Sequence, residues 1–485
     1  MKVIVIGAGP AGLACAYVLA KHGFAVQVFE AEPAVGGMSR SLELWDQIVD
    51  LGPHRFFTQE RRASDLWLEV VGGDYAIVKR QTRILYGGKL FKYPLDPIDT
   101  LLKLGPVEAM RCIGSYIIGR MLPKHDELSF QDWVCSRFGK RLFEVFFKNY
   151  SEKLWGLPCG ELDADFAAQR IRQFSLPAAI KSALLRRERQ KHRTLAERFA
   201  YPNRGTGSVY ERMAGAIGKW GGSVHLNAPV RRVLVKDGRV CGIELGSGEK
   251  ITCDQVISST PLPALVTGLG EVPESVLSAA SNLRFRATIL VYIEVVGANP
   301  FPDQWIYIHN PGLMCGRITN FRNWTPQLCG ASSNTILAME YWCTPGDDFW
   351  QQHDDAIERL AQSELLKCGL VGRSHQLGRS FVVRLRDCYP VYRRGYRVHL
   401  QTVRSYLESI SGLQVIGRAG AFKYNNQDHS ILMGLLAAEN LLLGNRRDLW
   451  AVNADSDTYH EGCKISDTGL GRHAVTIVNT VAAHS

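Results

Sequence analysis

Val3-Ile4-Val5-Ile6-Gly7-Ala8-Gly9-Pro10-Ala11-Gly12 is the stretch whose reading decides the fold. Four consecutive β-branched residues have the composition of a buried parallel strand. The glycines follow at once, and Leu13 to His22 then reads as a helix. Val26-Gln27-Val28-Phe29 is a second strand, and Glu30 stands at its end. A strand, a Gly-x-Gly-x-x-Gly turn, a helix, a strand and a terminal acid form the unit that binds a dinucleotide. Gly7 allows the tight turn, and Gly9 lets a pyrophosphate approach the backbone. Gly12 lets the helix pack closely on the strand. The positive helix N-terminus faces the phosphates, and Pro10 and Ala11 of the loop before it are candidate cofactor contacts. Glu30, with Ala31 beside it, is placed to accept hydrogen bonds from ribose hydroxyls.

The extension after Glu30 separates one dinucleotide from another. Its residues Gly36-Gly37-Met38-Ser39-Arg40 read either as a plain surface turn or as a second glycine-rich contact. Here the chain resembles the FAD-binding superfamily of amine oxidases, protoporphyrinogen oxidase and UDP-galactopyranose mutase. The resemblance implies an α/β fold, with a Rossmann-like FAD-binding domain of the GR2 flavoprotein type. It also implies a mixed-sheet substrate domain and a helical insertion. Gly36 and Gly37 would pass close to the FAD diphosphate, Met38 and Ser39 would follow them, and Arg40 would lie beside the phosphates or the flavin.

Further motifs carry the same resemblance. Gly52-Pro53-His54-Arg55 would pass near the flavin ring, with backbone at Pro53-His54 facing N5, and is more like the sugar mutase than the oxidases. The alternative is a strand end with a surface histidine. Val230 would contact adenine through its backbone, and Ser259 lies in the strand and turn Ser258 to Pro261 that precede the second excursion into the substrate domain. Gly417 and Arg418 would approach the FAD. Asp428, His429, Ser430 and Ile431 would lie at the start of a helix running to Leu443. A positive helix end there stabilises negative charge on a reduced ring.

The chain has 485 residues, enough for two or three intimately packed domains. A net charge of +10 favours an anionic small molecule or an acidic surface. The basic residues are spread out and no nucleic-acid motif is present, so no nucleic-acid partner is expected. Twelve cysteines occur without a CxxC or a His/Cys cluster, so no metal site is expected. The first strand begins at residue 3 with no signal peptide read before it, so a cytoplasmic protein with reduced thiols is expected. No apolar run is long enough for a transmembrane segment; Ile113 to Ile118 is closely bracketed by Arg111 and Arg120. Arg186 to Arg198 is strongly basic, either a solvated helix face or a peripheral contact with an acidic membrane or polyprenyl phosphate. The oligomeric state is not specified.

The expected organisation is a discontinuous FAD-binding domain from 1–94, 201–270 and 412–445. A helical insertion occupies 95–200, a substrate-binding sheet domain 271–411, and a tail 446–485. Arg83 to Pro94 reads as a hairpin turning at Gly87-Gly88. Tyr150 and Trp155 suit stacking on a planar or sugar ring, or an aromatic core cluster. Arg322 and Tyr341 fall near strands expected to floor the substrate site. Tyr389-Pro390-Val391-Tyr392-Arg393-Arg394-Gly395-Tyr396-Arg397 is similar to the mutase segment that holds a substrate diphosphate, and arginine suits phosphate through its planar fork. Tyr392, Arg393, Tyr396 and Arg397 are therefore candidate substrate ligands, and His54 and Tyr389 candidate catalytic residues. Surface arginines on a loop are the alternative.

The expected function is an FAD-dependent oxidoreductase. It would act on a small, anionic substrate, phosphorylated or glycosyl, by hydride transfer to flavin N5. The mutase-like alternative is a non-redox sugar-nucleotide isomerase using reduced FAD as nucleophile. A third is a non-catalytic flavin-binding module. Asn426-Gln427-Asp428-His429 departs from the Asp-Met-Asp-like segment of the mutases and favours the oxidoreductase.

Overall fold

The computed structural model describes residues 1–121, 128–165, 198–297, 299–372, 375–445 and 447–453. The basic run from Arg186 lies outside the described residues up to Arg198, as does most of the tail beyond 453. Lys2–Ile6 is the central strand of a five-stranded parallel sheet. Its order is Leu413–Val415, Gln255–Ser258, Lys2–Ile6, Ala25–Phe29, Ser223–His225. Val3, Ile4 and Val5 are wholly buried, as a strand covered on both faces must be. Strands from the start of the chain and from residues 413–415 therefore belong to one sheet.

The first helix spans Pro10–Lys21, starting three residues before the expected Leu13. Proline suits the first helical position because its missing N–H would be unpaired there anyway. A Cβ on Gly12 would sit 2.0 Å from the carbonyl oxygen of Gly7, so only glycine lets the helix lie this close to the turn. The last long helix spans Gln427–Leu443, also longer at its N-terminus than expected. The His429 ring reaches back to accept from the Asn426 N–H, at 3.3 Å. A three-stranded antiparallel meander, Val230–Lys236, Arg239–Leu245 and Lys250–Thr252, flanks the parallel sheet.

The second layer is a seven-stranded sheet. Phe285–Val296 lies between Gln376–Pro390 and Thr335–Cys343, followed by Arg317–Asn320, Trp305–Ile308, Thr82–Tyr86 and Lys89–Lys92. All pairs are antiparallel except Thr82–Tyr86 with Trp305–Ile308. The Gly87-Gly88 hairpin, assigned to the cofactor domain from sequence, is thus an edge of this seven-stranded sheet. Its partner lies far along the chain, and no local pattern announces such a pairing. Two helices within 271–411, Glu274–Ser281 and Tyr396–Glu408, instead bury Val276, Ala279, Val403 and Leu407 in the core around the parallel sheet.

The described part of the insertion is helical: Pro97–Leu104, Pro106–Met121, Phe130–Phe138, Lys140–Phe143 and Asn149–Trp155. Phe130, Trp133, Phe138 and Phe146 build its core, which continues into Trp342 and Tyr389 of the sheet. The insertion thereby packs against the strands that carry the site.

Candidate active site

A cavity of about 460 Å³ runs between the two sheets. Its outer end is lined by Gly7, Gly9, Pro10, Ala11, Glu30, Ala31 and Val230. Gly7 has φ +96°, and a Cβ there would sit 2.2 Å from the Ser259 hydroxyl oxygen, itself at the cavity wall. Gly9 is different: a Cβ would meet only the Gly37 Cα, at 4.0 Å. The space beside Gly9 is open within the protein and opens on the helix N-terminus. The Glu30 carboxylate accepts from the Ala8 N–H at 2.6 Å and the Glu32 N–H at 3.0 Å. A carboxylate has about four acceptor sites, so it retains capacity for ribose hydroxyls.

Met38, Ser39, Gly37, Gly417 and Ser430 line the middle of the cavity. Gly12 lies beneath the turn. Gly36 is spent on the turn itself, its N–H donating to the Ala8 carbonyl at 2.8 Å. Arg40 donates to Glu32 at 3.1 Å rather than lining the wall. Of the residues at the last helix start, Asn426, Gln427 and Ser430 face the cavity, while Asp428, His429 and Ile431 do not. Ile431 points into the core, as the helical period requires once the helix begins at Gln427. Gln427 also donates to the Arg55 carbonyl at 3.1 Å, tying the helix start to the Gly52-Pro53-His54-Arg55 segment.

That segment and the large sheet make the inner end. Glu340 is almost fully buried and takes a bidentate pair from Arg317, at 2.6 Å from Nε and 2.5 Å from Nη2. The two residues are direct cross-strand partners. Burial opposes the charge on Arg317, but Glu340 more than restores it and holds the guanidinium charged. Arg418 lies between two phenol rings, 4.7 Å from Tyr389 and 4.4 Å from Tyr424. Its Nη1 donates to the Asn425 carbonyl at 3.2 Å, while buried Nε and Nη2 have no hydrogen-bond partner among the described residues. Arg55 stacks on Phe57 at 4.5 Å.

His54 lines this end with a buried, unpaired Nδ1. Burial, then the charges of Arg317 and Arg418, push its pKa down to about 3, so the ring is neutral. Burial raises the Tyr389 pKa, with Tyr424 adding to it, so Tyr389 is a phenol rather than a phenolate. Asp50, just before the segment, is pushed up to about 6 by burial, against hydrogen bonds from Ser41, Tyr201 and Thr206.

The other residues singled out from sequence lie elsewhere. Tyr341 is buried against Phe349, on the face of its strand opposite Glu340. Side chains alternate along a strand, so choosing the aromatic selected the wrong parity. Arg322 donates to the carbonyls of Ser332 and Asn334, at 3.0 and 2.9 Å, and closes a loop. Beyond Pro390 the chain turns outward to the insertion: Arg393 pairs with Glu161 at 2.9 Å and Arg397 with Asp165. Tyr396 stacks on Tyr392, whose hydroxyl accepts from the Tyr424 N–H at 2.8 Å. Trp155 packs edge-on to Tyr389 and Tyr424, and Tyr150 stacks on His309. These aromatics back the wall rather than form it. Sequence reasoning missed Arg317, Glu340, Tyr307 and Trp305; the alternation in Thr335–Cys343 was the one available signal.

The model of the flavin containing amine oxidoreductase family matches residues 10–442. Among curated proteins, the zeta-carotene-forming phytoene desaturase of Myxococcus xanthus is 24% identical over 313 residues, 59% of this chain and 58% of that protein. The probable UDP-galactopyranose mutase of Klebsiella pneumoniae is 26% identical over 176 residues, 34% of this chain and 43% of that protein. The chain thus spans about half the length of these curated relatives. A crystal structure of reduced UDP-galactopyranose mutase superimposes with a TM-score of 0.83 at 20% identity, covering 95% of this chain and 99% of that one. At that identity the likeness carries the fold.

Proposed function

The chain belongs to the flavin-containing amine oxidoreductase family, whose cofactor is FAD, and on that premise we propose that it oxidises a small anionic substrate at the arginine- and tyrosine-lined end of its cavity. The residues present fit the cofactor. Open space at Gly9, the Pro10–Lys21 helix N-terminus and the spare acceptors of Glu30 suit the nucleotide half. Bound FAD supplies a hydride acceptor at its N5.

The chain's own groups do the rest. Glu340 neutralises Arg317, which leaves Arg418 as the cation best placed to hold an anion. The phenol rings of Tyr389 and Tyr424 fix its plane, as stacked guanidinium groups require. A carboxylate or phosphate accepting from Nε and Nη2 would satisfy two buried donors at once. Phe57, Trp305 and Tyr307 add aromatic surface to the wall of the same cavity. His54, being neutral, offers either a donor or an acceptor without adding charge. The observation that carries this reading is the pair of orphaned donors on Arg418.

A sugar-nucleotide isomerase is the second reading, supported by Gly52-Pro53-His54 at the cavity wall. Anaerobic incubation with nucleotide sugars, sugar phosphates and amino acids separates the two. Bleaching of the flavin absorbance by a substrate with no added reductant supports oxidation. Isomerisation of a nucleotide sugar only after dithionite reduction overturns it in favour of the second reading.

A further inference from the structure

Half of the large apolar side chains exposed among the described residues lie between Ile98 and Leu128. At 3.6 residues per turn, Val107, Met110, Ile113, Ile117 and Met121 share one face of the Pro106–Met121 helix, with Ile118 at its border. Met110 is 66% exposed and Met121 81%. Leu102, 77% exposed, extends the surface onto the preceding helix, one turn after exposed Ile98. An apolar surface of this extent is uncommon where water is the only neighbour.

Among the described residues, the exposed charges flanking the stripe on this helix are arginines. Arg111 and Arg120 stand at the two edges of the apolar stripe, both exposed. The helix's one acid, Glu108, is turned inward to Arg141 and also touches Arg111 at 3.4 Å. A two-fold copy laid on this face would set arginine edges against each other, and the helix's one acid, Glu108, is already shared between Arg141 and Arg111. An anionic lipid surface pairs with both and takes up the apolar side chains. The helix rises about 24 Å over its 16 residues, short of a bilayer's hydrocarbon core of roughly 30 Å. No described helix is long and apolar enough to cross a membrane. From these observations we infer that Pro106–Met121, with the adjoining helix, is an interfacial element that seats the protein on an anionic membrane.

The test is sedimentation of the whole protein with vesicles of phosphatidylcholine alone and of phosphatidylcholine mixed with phosphatidylglycerol. The wild type is expected to sediment with the mixed vesicles only, and less so as salt rises. Met110→Ser/Ile117→Ser leaves the net charge unchanged and is expected to reduce binding at least tenfold while keeping the wild-type melting temperature. Arg111→Gln/Arg120→Gln, at exposed sites, is expected to reduce it several-fold and provides the test should the first variant fold poorly. Wild-type protein remaining in the supernatant, equal binding to both vesicle types, or undiminished binding by a folded variant would each overturn the inference. So would a dimer that the first variant dissociates and that ignores vesicles, since a second copy then covers the face.

Discussion

Gly9 and Gly12 stand three residues apart and do different work. A side chain at Gly9 meets almost nothing of the protein, whereas one at Gly12 collides with the Gly7 carbonyl and Val5. Gly9→Val is therefore expected to fold with wild-type circular dichroism and the melting temperature of wild type stripped of FAD, yet purify without flavin absorbance. Gly12→Val is expected to lose about 1–3 kcal/mol of stability, the cost of overpacking, read by urea denaturation. Arg418→Met is expected to raise KM for the anionic substrate about tenfold or more, since a hydrogen bond to a charged group contributes about 1.5–3 kcal/mol, and Arg418→Lys does not rescue it because an ammonium lacks the fork. These glycines and Arg418 each sit in a contiguous motif that brings them to the cavity, although Arg418 is expected from that motif beside the FAD and is assigned here to the substrate anion. Arg393 and Arg397 were misplaced because their carboxylate partners, Glu161 and Asp165, are more than two hundred residues away.

Between elements, the strands Arg317–Asn320 and Thr335–Cys343 set Arg317 opposite Glu340 at the inner wall. Removing one member leaves the other buried and unpaired, at a cost of about 3 kcal/mol or more, whereas removing both exchanges the pair for apolar contact. Arg317→Leu and Glu340→Leu are each expected to lower the urea midpoint clearly, and the double variant to recover most of the loss. Long strands such as Phe285–Val296 could be read from their β-rich run, but the strand beside each one could not. The parallel pairing of Thr82–Tyr86 with Trp305–Ile308 joins segments whose local patterns are silent about one another. Tyr341 taught the same lesson in miniature: a one-residue change of parity moves a side chain from the cavity to the core.

For the whole molecule, stability couples to pH through buried imidazoles. His54 and His309 are both pushed down to about 3, chiefly by burial, with Arg317 and Arg418 acting on the first and Lys153 on the second. A histidine kept neutral by the fold contributes stability that is present above its free value of about 6.5 and is lost as pH falls from there toward 3. Asp50, raised to about 6, acts the other way, its contribution present below about 4 and lost as pH rises through 6. The two histidines outweigh it, so melting temperature is expected to fall as pH drops from about 6.5 to 4.5. His309→Gln, away from the cavity wall, is expected to flatten that acid limb. The larger architecture was legible because the motifs at residues 3–12 and 415–430 both point to one nucleotide site, and the sheet order brings the strands that lead into them together. The visible spectrum of the purified protein, fresh or reconstituted with FAD, tests that joint site most directly. The wild type is predicted to show the absorption bands of oxidised flavin and Gly9→Val, equally folded, to lack them; a wild type that stays colourless, or a variant that stays yellow, would contradict the account.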